Sequence, residues 1–423
     1  MKKLLLAFIA TTSLMSAAED KPAPLFRDFV GLCGHTVNFK PELYAPVCNW
    51  VRDYHPVEWD LQKDTSVLPE WPFAKNRVSW DTVYGSWRAK DLRISACLMF
   101  DGMKDVWKDP VKDAEAYAAA FARQFGPGGK WPFVDCVEIG NEPGLYSDEE
   151  YLRIFDAMSK GIRAANPKLK IATCNVEAEK SDRYWKCAPM FKDRAEAYDV
   201  LQIHRYAIAE GWPKWRRTYP EDASVPYLSS IQALLDWRAA NAPQKEVWVT
   251  EFGWDTSTKK PDPKSDMAQW MSSTDDEQAR YLVRSFFLFA GMGVEKAFVY
   301  FFDDKDEPKF HAASGLTRNY QPKPAYHAVA WMLSSLKDHR FSRVIQSSLD
   351  EGYVYEFTPE QPAGPVIWAA WHATKDGVKM QLPAGGRAFV KAEAMPVKEG
   401  AAPAVAESDI AVIGQHPTLI WWK

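Results

Sequence analysis

Two stretches decide how this chain reads: Val137-Glu138-Ile139-Gly140-Asn141-Glu142-Pro143 and Val247-Trp248-Val249-Thr250-Glu251-Phe252-Gly253-Trp254. Each is a short apolar β pattern that delivers one glutamate at its C-terminal end. Pro143 has no backbone N–H to continue a ladder, so the first run stops with Glu142 at its lip. Outward from this pair, apolar runs of strand length recur at Phe29–Cys33, Cys48–Tyr54, Arg93–Phe100, Val134–Ile139, Lys170–Asn175, Val200–Ile203, Glu246–Thr250 and Lys296–Phe302. Helical patterns lie between them, over Lys112–Phe125, Ser147–Ala165, Leu228–Ala240, Ala279–Met292 and Ala325–Leu336. Ser147 with Glu150, and Thr274 with Glu277, have the spacing of capping boxes. Strands and helices alternating eight times predict an α/β fold, a (β/α)8 TIM barrel. A doubly wound open sheet is the alternative, and the chain lacks the Gly-rich phosphate turn that fold carries after its first strand.

Three segments are expected. Residues 1–18 read as a signal peptide: Lys2 and Lys3, an apolar stretch over Leu4–Met15, then Ser16-Ala17-Ala18 at the cleavage point. That apolar stretch is too short to span a bilayer, so the mature chain is expected to be secreted or periplasmic and soluble. Residues 19–336 read as the barrel. From about Lys337 the pattern changes to short runs broken by Pro and Gly: Gly352–Thr358, Val366–His372, Val378–Leu382, Arg387–Lys391 and Pro417–Trp422. Residues 337–423 are therefore expected to form a small β-sandwich, with Ala392–Glu407 as an exposed loop.

The formal net charge is −4 with both signs mixed along the chain, which gives no bulk attraction to nucleic acid or membrane. The six cysteines mostly fall in or beside strand-like runs, where a thiol acts as a small hydrophobe; Cys174 and Cys187 form the pair best placed for a bridge. Neither a CxxC nor a Cys/His cluster has zinc-ligand spacing, so no metal and no cofactor are expected. Tryptophan is abundant, at 19 residues. Most belong to a core, whereas Trp59, Trp71, Trp212, Trp215 and Trp254 fall in loops and are candidates to stack on sugar rings.

In such a barrel the active site lies at the C-terminal ends of the strands. Those ends carry His35 after the first strand, Arg52-Asp53-Tyr54-His55, Asn141-Glu142, His204-Arg205-Tyr206, Glu251 and Phe301-Phe302. Ionisable groups thus gather at one rim above apolar strand bodies. Two carboxylates facing each other across a sugar are the minimum apparatus for breaking a glycosidic bond. Glu138 is buried by pattern and is expected to pair with an arginine. The basic residues at the rim read first as scaffold hydrogen-bond partners; the clustering of Arg52, His55, His204 and Arg205 offers an anionic glycan, sulfated or uronic, as the other reading.

Asn-Glu-Pro after strand four, His-x-Tyr after strand six and the glutamate ending strand seven resemble the clan A retaining glycoside hydrolases. With Gly315–Thr317 and Lys323–Tyr326, they are most similar to family 39-like enzymes. The resemblance implies catalytic residues Glu142, as acid/base, and Glu251, as nucleophile, the latter supported by Arg52 and Tyr206. It implies Asn141 on the sugar 2-hydroxyl. Substrate contacts are expected from Asn141, Arg52, His55, His204, Tyr206, Trp254, Phe302 and His35. Phe301-Phe302 departs from the clan, which often carries Trp at the end of strand eight. The implied partner is a poly- or oligosaccharide, with exo or endo action set by the loops Pro56–Val78 and Ala207–Val225. Two rivals are weighed: a carbohydrate-binding barrel without catalysis, and a metal-dependent barrel lyase or hydrolase.

Overall fold

The computed structural model describes residues 22–36, 38, 40–382, 385–400 and 410–423. The expected leader lies outside these residues, as does much of the expected loop after Gly400. Eight parallel strands form the barrel: β1 Val30–Gly34, β2 Trp50–Pro56, β3 Arg93–Met99, β4 Val134–Ile139, β5 Lys170–Glu177, β6 Val200–His204, β7 Glu246–Phe252 and β8 Lys296–Val299. Neighbours pair in chain order, and β1 with β8 closes the ring.

Both expected capping boxes form, on the helices Asp148–Ala165 and Asp275–Met292. Each places a side-chain oxygen on an otherwise orphaned amide at the helix start. The helix Trp80–Arg88 was not predicted; its Thr82, Val83, Tyr84 and Gly85 are weak helix formers, and packing of Trp80, Tyr84 and Trp87 fixes it instead.

The barrel wall follows the two-residue period of a strand. Val51, Ile94, Val137, Ile171, Leu201, Val249 and Ala297 face outward to the helices. Cys33, Trp50, Cys136, Ala172, Val200, Trp248 and Phe298 fill the interior. Gly31 is required there, because a Cβ would sit 2.3 Å from the ring of Phe298.

Past the barrel, a five-stranded antiparallel sheet is made of β9 His339–Ser348, β10 Gly352–Pro359, β11 Val366–Trp371, β13 Phe389–Ala394 and β15 Thr418–Trp422. A second, two-stranded sheet pairs β12 Val378–Gln381 with β14 Ile410–Ile413. Trp368, Met380, Ile413, Ile420 and Trp422 pack between the sheets. Two strands escaped prediction. In β9 the register slips twice against β10, which breaks the alternation a reader relies on. β14 is four residues long and abuts the expected loop.

The other face of the large sheet continues the barrel's own core. Phe287 meets Phe357 and Trp371 at ring separations of 5.7 Å. Arg284 and Glu221, both buried, form an ion pair, and Trp371 Nε1 donates to Glu221 at 2.7 Å. All six cysteines are free thiols, so the expected Cys174–Cys187 bridge is not formed. Cys174 is buried on the outward face of β5, in the core shared with the helices.

Candidate active site

Strand parity decides which side chains reach the rim. On β2, Trp50, Arg52 and Tyr54 point into the barrel, so Asp53 and His55 must point out. On β7, a register shift between Val249 and Glu251 inserts a bulge. The bulge turns Glu251 inward directly after Thr250, which donates to Gln202 on the neighbouring strand β6. On β4, Glu138 points inward. The chain then turns at Gly140, whose φ of +83° falls in the left-handed region that favours glycine, and this presents Asn141 and Glu142 to the site.

These residues converge. Oxygens of Glu142 and Glu251 and a ring nitrogen of His204 lie within 4.8 Å of one another. Glu251 is nearly enclosed, at 8% side-chain exposure, and Glu142 is open at 29%. Oε1 of Glu251 accepts from Arg52 Nη1 at 2.9 Å and from Tyr54 at 2.6 Å; Oε2 accepts from Tyr206 at 2.8 Å. Burial alone would raise the pKa of Glu251. The charge of the His204 ring when protonated, the Arg52 guanidinium and the two phenols outweigh it, and hold the carboxyl down to about 2.

Arg52 organises the site from beneath. It is fully buried, pairs with Glu138 through Nε at 2.8 Å and a second, short contact through Nη2, and donates to Asn141 Oδ1 at 2.9 Å. Glu138 is thus the arginine partner expected. Because the guanidinium only donates, it fixes its neighbours. Asn141 must accept with its oxygen, which leaves its NH2 free. His204 Nε2 lies 3.4 Å from Arg52 Nη2, whose two protons already go to Glu138 and Asn141, so it is Nδ1, facing the carboxyl oxygens, that carries the ring proton. Nδ1 then donates to Glu142 Oε1 at 2.9 Å, with Glu251 Oε1 3.6 Å away.

Several expected site residues sit elsewhere. His55 is buried on the outer face of β2, bonded to Tyr84, Asp60 and Tyr117. Trp254 is buried, donates to Thr218 O at 2.8 Å and packs on Tyr227, so it offers no face to a ligand. Phe302 is buried and stacked on Tyr44 at 4.0 Å. Arg205 is paired with Glu177, and Arg52 is sealed beneath the glutamates, out of reach of a ligand. Trp59 and Trp71 lean on core aromatics. Trp212 is 71% exposed, and Trp215 stacks on Phe310 at 4.6 Å.

His35 lies where the sequence put it, stacked on Tyr54 at 5.2 Å, with its pKa lowered by burial. Four residues were missed: Tyr54, Tyr300, Arg217 and His311. Tyr54 was legible from the parity of β2. Tyr300 is the strand-eight aromatic that meets the site, edge-on to Tyr54, Tyr206 and His35. Arg217 comes from a two-residue strand, Arg216–Arg217, in the segment after β6, and His311 from a loop after β8; neither shows a strand pattern in the sequence.

A cavity of about 400 Å³ opens beside Glu142 on the β2–β5 side, lined by Met99, Asp101, Asn141, Leu145, Arg183 and Tyr184.

Neither a protein-family model nor a curated protein sequence matches the chain. Solved structures do. A family 39 glycoside hydrolase from the gut symbiont Bacteroides cellulosilyticus WH2 superposes with a TM-score of 0.68 at 16% identity, over 93% of this chain and 80% of that one. The chain has the fold of glycoside hydrolases. A glucosidase from Croceicoccus marinus matches over 95% of this chain and 97% of its own, with a TM-score of 0.67 at 12% identity. A family 5 glycoside hydrolase from Bacteroides vulgatus covers 93% of this chain and 88% of its own, with a TM-score of 0.56 at 13% identity. The glycoside-hydrolase fold of this chain therefore includes both the barrel and the appended sheets.

Proposed function

We propose that the protein is a retaining glycoside hydrolase acting on a carbohydrate through a glycosyl-enzyme ester on Glu251. The observation that carries this reading is the pair of facing carboxylates, with oxygens within 4.8 Å, in two unlike settings. Retaining enzymes hold their carboxyl groups about 5–5.5 Å apart, and inverting enzymes about 6.5–9.5 Å, to admit a water between them. Glu251, ionised and oriented by three donors, attacks the anomeric carbon. Arg52, Tyr54 and Tyr206 release their hold on its charge as the ester forms. Glu142, at the open side, gives its proton to the departing oxygen, then takes one from the water that cleaves the ester. His204, with its proton on Nδ1, aims Glu142. Asn141, its oxygen tied to Arg52, turns its NH2 toward the sugar 2-hydroxyl. The leader read over residues 1–18 would place this activity outside the cytoplasm.

A second reading calls for a test, because Glu142, His204 and Glu251 each offer a ligand atom to a cation. The donor set fits poorly. Arg52 places a fixed positive charge 2.9 Å from Glu251, and the two phenols already occupy its lone pairs.

The decisive experiment treats the protein with a panel of 2-deoxy-2-fluoro glycosyl donors and maps the label by mass spectrometry. The expected label is on Glu251. A label on another residue, or turnover surviving in Glu251→Ala, overturns the assignment. Loss of activity to a chelator, restored by a divalent cation, would favour the metal reading.

A further inference from the structure

Arg217, Asp255 and His311 build a second polar unit against the nucleophile's side of the site. Arg217 is buried and paired with Asp255 at 2.9 Å, and its Nη1 donates to Gly253 O at 2.7 Å. Its guanidinium lies 4.5 Å from the centre of the Tyr206 ring. Asp255 accepts from the backbone N–H of His311 at 3.1 Å, which anchors that loop residue in its left-handed conformation, φ +62°. The imidazole stands edge-on to Tyr206 at 4.5 Å and to Tyr300 at 5.8 Å. Arg217 Nη2 lies 3.2 Å from Nδ1 of His311. A guanidinium cannot accept, so Nδ1 accepts and the ring proton sits on Nε2. Nε2 makes no hydrogen bond to a described residue and is not among the sealed, unpartnered side-chain atoms. Burial, helped by the charge of Arg217, pushes the pKa of His311 down to about 4, so the ring stays uncharged at neutral pH.

The charges around this pocket are committed elsewhere. Arg52 serves Glu138, Glu251 and Asn141; Arg205 serves Glu177; Arg217 serves Asp255. His35 is held toward its neutral form by burial. Arg183 lies on the other side of Glu142, in the cavity where a leaving group would sit.

We propose that His311 is a substrate-binding residue of the glycone subsite, a fixed Nε2–H donor to a sugar hydroxyl, and that this subsite takes an uncharged sugar. The proposal rests on the glycosidase reading above and sharpens it. It replaces the sequence reading of an anionic glycan, whose four supporting cations are buried or paired.

The test uses matched aryl glycosides, neutral hexosides and pentosides against the corresponding uronides, with wild type and His311→Phe. Cleavage of neutral members with the matched uronide at least tenfold slower supports the proposal. A uronide turned over faster than its neutral counterpart overturns it and leaves the glycosidase reading intact. Failure of every member, together with absence of label on Glu251, removes both. The role of His311 is read from monodeoxy substrates. At one ring position wild type should lose about tenfold in kcat/KM on loss of the hydroxyl, and His311→Phe should lose almost nothing further there. Additive losses at every position overturn that role. His311→Gln, which keeps a donor, should recover part of the wild-type rate, a result that a purely structural role does not give.

Discussion

The two ends of the barrel are made by the same eight strands and handle charge in opposite ways. At the C-terminal end, carboxylates take the inward positions, and guanidinium and phenol groups gather round them. Oxygens remain reachable, most openly on Glu142. At the N-terminal end, cations outnumber the one inward carboxylate, Glu246, and meet aromatic faces. Lys296 lies 4.4 Å from the Trp50 ring and 5.4 Å from that of Trp248, and Arg93 covers Trp50 at 4.2 Å. Lys170 pairs with Glu246 at 2.8 Å, and Lys296 donates to the carbonyl of Asp28 at 2.6 Å. Strand β2 displays the contrast in one element, with Trp50 in the lower layer and Arg52 and Tyr54 above it. Charge at the lower end lies against aromatic faces beside a cavity of about 520 Å³, while charge at the upper end surrounds two carboxylates that face each other.

The comparison breaks first at Glu251. Glu251→Ala should lower kcat/KM by about 10⁴-fold or more, as loss of a covalent nucleophile does elsewhere. Steady-state rates on any accepted glycoside measure this, and retention of most of the rate would end the assignment. Next is Arg52→Met. It leaves Glu138 and Glu251 without their buried counter-charge, at a cost of about 3–5 kcal/mol in urea unfolding. The pH dependence should change with it. The low pKa of Glu251 contributes stability that is present above its unfolded value and lost as pH falls through about 2. Without Arg52, that loss should begin at higher pH. An unchanged acid limb would show that Arg52 is not what holds the carboxyl down. Glu142→Ala should be milder and selective, costing about 10²- to 10⁴-fold with poor leaving groups and far less with activated aryl glycosides. Equal losses across leaving groups would contradict the acid/base role.

What the sequence showed follows the same division. Apolar runs of strand length with helical patterns between them were enough for the barrel, because each strand buries both faces and stays apolar. Glu142, Glu251 and Asn141 were legible because a proline and a strand end mark the rim. His55 and Trp254 misled because nearness to a strand end says nothing about which way the side chain points. Had alternation been counted from Trp50, Tyr54 would have replaced His55. Glu251 breaks the same count, since a bulge sets its direction. His311 carried no signal, because its position depends on Asp255 and Arg217 in separate segments of the chain.

The smallest effect lies at the lower end, and it tests whether that end acts independently of the upper one. Lys296 is buried between two tryptophans, and burial brings its pKa down from 10.5 to about 8. A lysine whose folded pKa is lowered weakens the fold most below that value, where it must be charged in both states. From about pH 8 to 10.5 the unfolded chain binds more protons than the folded one, so stability contributed by this group rises with pH. The span corresponds to at most about 3 kcal/mol. Lys296→Met keeps the volume and removes the titration. Its urea stability should lose that upward slope between about pH 8 and 10, while kcat/KM stays at the wild-type value. A slope that persists would mean another group causes it. A fall in kcat/KM with unchanged stability would mean that the two ends are coupled through Trp50 and Arg52, and the separation of their roles would be wrong.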